Sequence, residues 1–408
     1  MVYYFTDETF ETDSRAIDFE FSVPFLGDDD DTRFGFVAPS GQYWAALTVS
    51  VSIQTLLTII TMIIAWFVVK SNRGTSVGFL ATFGLITPII LCQPFYILSY
   101  IGIVNTVIAT PFVVFGATNA LKMIEIYYAT SPPFAETNLS NFLLYHSSPV
   151  LFRFHPKTQA VLPTTREEIN EKLKQAASSF VVTVILMNIQ IQTNYQPFGP
   201  TQLNTIMDYF NWRHLGNNLA NAHLAGTNLE TGTLLYGCLI SMLTGYSTIN
   251  LNDSPFTKST SVADFWGRRW NKQVGGNLKN GIFKACLKNG YSKTIGIVLT
   301  FVGSSLLHEY VIFSGASEQF NPGREPYVPQ YGRQSTFFLW NGMMMVIEAM
   351  LMKTSFKATW ESIPRPLKTF LVVMTSLPVS RWFMDDYIGV NLFSDFAMAF
   401  PFVYKLQK

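Results

Sequence analysis

His308 places an imidazole in an otherwise apolar stretch, Ser304-Ser305-Leu306-Leu307-His308-Glu309-Tyr310. Imidazole, with an unperturbed pKa of about 6.5, is the side chain best suited to taking and returning a proton near neutral pH. An ionisable group inside a membrane span is costly and marks a functional site by default. Upstream lies a segment dense in aromatic and basic residues, Asp264-Phe265-Trp266-Gly267-Arg268-Arg269-Trp270-Asn271. A basic, aromatic loop of that kind could hold an anionic cosubstrate. Together the two segments suggest an enzyme that works within the bilayer.

The elements that must position them are apolar runs. The 408 residues are 49% hydrophobic and only 13% charged, where a soluble domain carries roughly 25% charged residues. Crossing the hydrocarbon takes roughly 20 apolar residues. Tyr43 to Val69 meets that length and is closed by Lys70 and Arg73. Ser76 to Val114 has no charged residue and is read as two spans broken at Pro94. Residues 115–128, with Lys122 and Glu125 three apart, read as an interfacial helix with a local ion pair. Further spans are expected at 176–191, 232–248, 294–316, 335–352 and 388–404, with 195–228 interfacial and 367–383 a weaker candidate. The expected fold is all-α and polytopic, with eight or nine transmembrane helices enclosing an intramembrane tunnel.

Charge is uneven. Residues 1–40 hold ten acids against two bases, a net of −8, which leaves +9 for the rest of a chain with an overall +1. That segment has no apolar core of a cleavable signal and is expected to be a disordered tail ahead of the membrane domain, 41–408. The small net charge argues against a nucleic-acid partner. Three cysteines are too few for a disulfide framework, and the other histidines lack metal-ligand spacing. The loop 251–293 carries eight Lys and Arg, the loop 317–334 two and the loop 353–366 three. Loops rich in Lys and Arg stay cytosolic, so the motif loop is placed in the cytosol. The sequons at Asn138 and Asn252 should then stay unused.

Phe265-Trp266-Gly267-Arg268-Arg269-Trp270-Asn271 followed by Leu306-Leu307-His308-Glu309 resembles the wax-synthase branch of the membrane-bound O-acyltransferase family. The 37 residues from Asn271 to His308 are a spacing of the size this family shows. Many wax synthases have histidine where this chain has Asn271; asparagine is usual elsewhere in the wider family. The resemblance covers the two motifs and the multi-span layout, not the acidic tail. It implies transfer of an acyl group from acyl-CoA, a cosubstrate rather than a resident cofactor, to a lipophilic alcohol at the endoplasmic reticulum membrane. Among the relatives it suggests are wax-ester synthases and fungal acetyltransferases of terpenoid secondary metabolism. The compact length favours acetyl transfer to a terpenoid-like alcohol over wax-ester synthesis.

Such a transfer needs a base for the hydroxyl proton and donors for the developing oxyanion. His308 suits the first task, and the Asn271 amide could serve the second. The alternative for His308 is an interhelical hydrogen bond that merely packs helices. Ser304 and Ser305 share its helical face and suit either reading. Arg268, Arg269 and Lys272 are candidates for the CoA phosphates, since arginine forks match phosphate; as plain topology signals they would need no ligand. Trp270 and Trp266 suit adenine stacking or the interfacial aromatic belt. Glu309 is expected to be a buried partner for an arginine rather than a carboxylate that orients His308. Trp340, Asn341 and Glu348 form a third polar set, Asn341 and Glu348 two turns apart on one face, lining the acceptor tunnel or making an ion pair. The rival from another class is a transporter with an intramembrane His/Glu site, which predicts paired repeats that this chain does not show.

Overall fold

The computed structural model describes residues 19–22, 33–101, 105–317 and 327–405. Five helices among them are long and apolar enough to cross a membrane: α1 (Gly41–Asn72), α2 (Ser76–Tyr100), α3 (Thr106–Tyr127), the helix Arg166–Gln192 and the histidine helix Lys293–Gly315. A sixth span forms if Arg333–Leu351 and Phe356–Ser362, bent by 104° at their junction, count as one. The all-α, polytopic class stands. The expected eight or nine spans are not reached by length and composition.

The differences have physical causes. Pro94 lies inside α2 rather than between two spans. Proline cannot bond back to the carbonyl of residue 90, but neighbouring helices re-satisfy such a break. Gly116 of α3 lets the backbones close on it: a Cβ there would lie 3.2 Å from the Ile90 carbonyl. Tyr310 from the histidine helix donates to the adjacent Leu91 carbonyl at 2.8 Å. The turn therefore falls after α2, and α3 begins at Thr106 behind the cap Asn105.

Residues 115–128 are thus the second half of a span, not an interfacial helix. Lys122 and Glu125 are buried in it and do not pair with each other. The Lys122 ammonium donates to the His146 and Ser148 carbonyls at 2.7 and 2.8 Å. Glu125 accepts from Tyr145 Oη at 2.9 Å. All three partners come from α4 (Leu139–Ser147) and the turn after it.

The span Arg166–Gln192 is α5, and it packs along α6 (Trp212–Thr244). α6 runs unbroken from the second half of the interfacial stretch 195–228 to Thr244, within the span expected at 232–248. Its asparagines do not interrupt it because they bond outward, Asn217 to Gly199 and Asn218 to the Leu377 carbonyl. The motif residues then lead into α7 (Lys272–Leu278), followed by the histidine helix α8 (Lys293–Gly315) and α9 (Arg333–Leu351). α8 and α9 approach closely at Gly342, where a Cβ would fall 2.9 Å from the Phe301 ring.

α10 (Phe356–Ser362), α11 (Arg365–Ser376), α12 (Arg381–Gly389) and α13 (Leu392–Ala397) are short. The apolar run 388–404 is therefore not a span. It breaks at Asn391, in the left-handed region, and its Phe393, Ala397, Met398 and Phe400 are core residues. A small antiparallel sheet closes the chain: β1 (Phe19–Ser22) pairs with β2 (Arg33–Val37), and β2 with β3 (Phe402–Lys405). Strands β1 and β2 belong to the acidic N-terminal segment. Residues 38–40 of that segment are described as well, and 1–18 and 23–32 lie outside the described residues.

Candidate active site

His308 follows Phe301 by two turns on the same face of α8, and that face meets α9. Leu306, two positions back and roughly 200° around the helix, is 65% exposed, so the imidazole turns away from the lipid side. It stacks on Phe338 with centroids 4.4 Å apart and planes 16° from parallel. Phe383 of α12 meets it edge-on at 5.2 Å. His308 Nδ1 lies 2.7 Å from Tyr387 Oη. Nε2 has no hydrogen-bond partner among the described residues. Ser305 does not touch the ring; its hydroxyl donates to the Phe301 carbonyl at 2.8 Å.

Tyr387 is also a wall of an apolar cavity of ≈ 20 Å³ between α3, α8 and the C-terminal helices, bounded by Ala109, Val113, Val311, Ile312 and Val390 among others. A space of that size holds about one water- or methyl-sized group.

The motif segment is built from hydrogen bonds. Ser261 caps a short helical turn, Val262–Asp264. The Glu348 carboxylate accepts from the Val262 and Ala263 N–H groups at 2.7 and 3.0 Å, which places a negative charge at a helix start. Asp264, almost fully buried, accepts from Arg269 Nε at 2.8 Å and the Thr260 N–H at 3.1 Å, and pairs with Arg268 at 3.0 Å. Burial alone would raise its pKa, but the Arg269 bond, the Thr260 N–H and the two arginine charges hold it below the usual carboxylate range. Arg269 also reaches Asp253 at 3.0 Å.

Trp266 donates from its indole to Asn341 Oδ1 at 3.2 Å. Asn341 is fully buried and donates in turn to the Phe337 carbonyl. Trp340 donates to the Thr375 carbonyl at 2.7 Å. The structure thus gives Trp340, Asn341 and Glu348 partners on neighbouring segments, as braces for the motif and for α11. Trp270 stacks on Phe265 with planes 14° apart and lies against α6 at Gly226, where a Cβ would be 3.4 Å from its ring.

Asn271 sits at φ 39°, ψ 61°, left-handed backbone that asparagine tolerates better than most residues. Its Oδ1 caps α7 by accepting from the Val274 N–H at 3.2 Å, and its own N–H donates to Asn252 Oδ1. Its amide nitrogen has no hydrogen-bond partner among the described residues, and no hydrogen bond joins it to His308. The two are linked by packing. Leu278 of α7 meets Leu307, and Trp266 lies 6.2 Å from the Phe338 ring that His308 stacks on.

Of the basic candidates, Arg269 is committed to two aspartates. Arg268 is 74% exposed. Lys272 is half-buried, and burial holds its pKa below the ordinary lysine value despite Asp253 nearby. Among the described residues Glu309 has no arginine partner; its Oε1 accepts from the Gly332 and Ser335 N–H groups at 2.9 and 3.0 Å, capping α9. A carboxylate next to a helix-borne histidine gave no hint of that partner, which lies 23 residues on. Tyr387, Phe338 and Phe383 escaped the sequence reading. The only signal was the acidic, aromatic cluster Trp382-Phe383-Met384-Asp385-Asp386-Tyr387, in the stretch beside the weakest span candidate.

Residues 251–340, from the motif loop to Trp340, match the Membrane bound O-acyl transferase family. The chain thus resembles the wax-synthase-like members of the membrane-bound O-acyltransferases. It is an acyl-transferring enzyme. Its relatives include the probable long-chain-alcohol O-fatty-acyltransferase 9 of Arabidopsis thaliana, 28% identical over 63% of this chain and 69% of that protein. The probable long-chain-alcohol O-fatty-acyltransferase 3 of the same plant is 28% identical over 43% of this chain and 51% of that protein. Its acyl-CoA–sterol O-acyltransferase 1 is 27% identical over 33% of this chain and 37% of that protein. The last two matches thus span less than two thirds of the relatives' lengths. Within the acyltransferase's matched region lie Asn271, His308, Trp266 and Phe338; Tyr387 lies beyond it.

Proposed function

We propose that this acyltransferase moves an acetyl group from acetyl-CoA to the hydroxyl of a bulky, terpenoid-like alcohol in one direct step. One observation carries the reading. His308 is held at Nδ1 inside a ring cage, and its Nε2, without a partner among the described residues, is left for a hydroxyl. The alcohol oxygen attacks the thioester carbonyl as its proton passes to Nε2. The C–O bond forms, the C–S bond breaks, and the departing thiolate takes the proton back as CoA thiol. No acyl-enzyme is needed. The surrounding rings keep water, the competing nucleophile, from the thioester.

The small apolar cavity behind Tyr387 supports a methyl-sized acyl end. The printed names of the plant relatives support a second reading, a long-chain acyl group on a long-chain alcohol or a sterol. Acyl-CoA is a cosubstrate here, met from the cytosolic face by the exposed bases around Arg268. The alcohol arrives from the lipid of the endoplasmic reticulum membrane.

The test uses microsomes containing the wild-type chain or His308→Ala. Each receives labelled acetyl-CoA or palmitoyl-CoA with fatty alcohols, sterols and terpenoid alcohols. Acetyl ester formed by wild type alone supports the proposal; palmitoyl ester on a fatty alcohol or a sterol replaces it with the second reading. Ester formation undiminished in His308→Ala removes the base assignment.

A further inference from the structure

We propose that Tyr387 is a positioning residue which fixes the His308 ring by its bond to Nδ1 and, by accepting from Nδ1–H, leaves Nε2 to do the chemistry. This rests on the reading of His308 as the base. The imidazole has two nitrogens, and in the neutral ring one donates and the other accepts. Tyr387 Oη, 2.7 Å from Nδ1, is the hydrogen-bonding partner of the ring among the described residues. With the ring proton on Nδ1 donated to Oη, Nε2 carries the lone pair and can take the alcohol's proton. With the phenol donating to Nδ1 instead, the ring proton sits on Nε2 and base chemistry there is blocked. The same bond also matters after the transfer. The imidazolium has two N–H groups, and Oη accepts the one on Nδ1 while Nε2–H is returned to the thiolate. A phenol suits this because its single hydrogen rotates away when the oxygen must accept. Tyr387 stays neutral and un-ionised throughout, so no proton is gained or lost at the phenol.

The surroundings hold Oη in place independently of His308. Tyr387 is the last polar side chain of α12, and the residue before it, Asp386, is nearly fully buried. Asp386 accepts from Tyr327 Oη at 2.7 Å and from Gln334 Nε2 at 3.1 Å. Gln334 also donates to the Phe383 carbonyl at 2.9 Å. Gln334 lies one turn before Phe338 on α9, the residue whose ring stacks on His308. One face of α9 thus fastens α12 at one level and supports the imidazole at the next. The Tyr387 ring itself packs on Phe383 at 4.9 Å, a contact that phenylalanine would keep.

Tyr387→Phe therefore removes the oxygen and leaves the packing. In microsomes with the acceptor that wild type uses, kcat should fall by about ten- to a hundredfold. KM for the CoA donor and for the alcohol should stay within about twofold, and the thermal midpoint in detergent should stay near wild type. Tyr327→Phe serves as the comparison, since it removes a buried phenol bonded to Asp386 without touching His308. It should lower the thermal midpoint and leave kcat near wild type, because Gln334 still fastens α12 through Asp386 and the Phe383 carbonyl. An unchanged or raised kcat in Tyr387→Phe overturns the proposal, as does a loss of kcat that Tyr327→Phe reproduces. If wild type forms ester and His308→Ala does not, either outcome leaves the acyltransferase reading standing. If His308→Ala keeps full activity, the base assignment of His308 fails and this proposal with it.

Discussion

Among the described residues His308 has three aromatic neighbours and one hydrogen bond, whereas the segment from Thr260 to Asn271 joins the ring contacts of Phe265, Trp266 and Trp270 to a dense set of ion pairs and hydrogen bonds. In that segment Asp264, Arg269, Trp266 and the Asn271 side-chain Oδ1 each have a partner that fixes the loop. The residues richest in apparent chemistry are the ones the fold has already engaged. The histidine, set in an apolar run, keeps Nε2 without a partner among the described residues, as Asn271 keeps its amide nitrogen. A polar residue in a motif thus signals a built loop first and a reacting group second, and each can be tested apart.

The largest effect belongs to His308. His308→Ala should lower turnover by about 10²–10⁴-fold, the usual worth of a positioned acid–base group. Loss of that ring leaves Phe338 and Phe383 to close the gap, so the thermal midpoint should change much less than the rate. Equal collapse of both would assign the histidine to packing.

Asp264→Ala should act in the opposite way, on folding before chemistry. Removing it strips Arg269 and Arg268 of a buried partner, and breaking such a pair costs about 3 kcal/mol or more. The motif loop should become sensitive to proteolysis, and activity should fall with it. The pH dependence has a definite sign. Asp264 is held below the ordinary carboxylate range, so its stabilisation is fully present above its unfolded value of about 4. It is lost as pH falls through the lower folded value. Loop protection against protease should be flat from neutrality down to about pH 5 and decline only in more acid solution; an early decline near pH 6 would point to another group.

These two regions also differ in how far they could be read from the sequence. The apolar runs gave α1, α5 and α8 because length and low charge are local properties. The two motifs stood out because their residue types are unusual for their surroundings. Partners were not legible. Pro94 was read as a break because its repair comes from Gly116 and Tyr310, far away in the chain. Lys122 and Glu125 looked like a pair because their real partners lie twenty and more residues on. Glu309 and Glu348 each cap a segment that no spacing rule connects to them. The run 388–404 is apolar because it fills the core, and hydrophobicity alone does not separate core from lipid contact.

Asn271 sits between the two regions, and a pair of substitutions separates its roles. Asn271→Asp keeps an oxygen to cap α7 and tolerates left-handed backbone, but loses the amide N–H. Asn271→Gly keeps the backbone and loses the whole side chain. If the amide donates to the developing oxyanion, both variants should lose about ten- to a hundredfold in kcat. If capping is the whole role, Asn271→Asp should work nearly as well as wild type. Asn271→Gly should then lose only a few tenths of a kcal/mol of stability.

The smallest effect should separate two adjacent arginines that the sequence offers as equals. Arg268 is 74% exposed, and its pairing with Asp264 spans one helical turn at the surface, where such pairs contribute about 1 kcal/mol or less. Arg269 is mostly buried against Asp264 and Asp253. Arg268→Ala should therefore leave stability near wild type and raise the KM for the CoA donor by about two- to fivefold, with the alcohol KM unchanged. The increase should shrink at high ionic strength, because an exposed charge acting on phosphate is screened. Arg269→Ala should instead resemble Asp264→Ala, with loop protection lost before any selective change in donor KM. A donor KM that responds to Arg269 and not to Arg268, in a loop still protected, would reverse the assignment. The buried fork would then have to leave its aspartates to meet the phosphates.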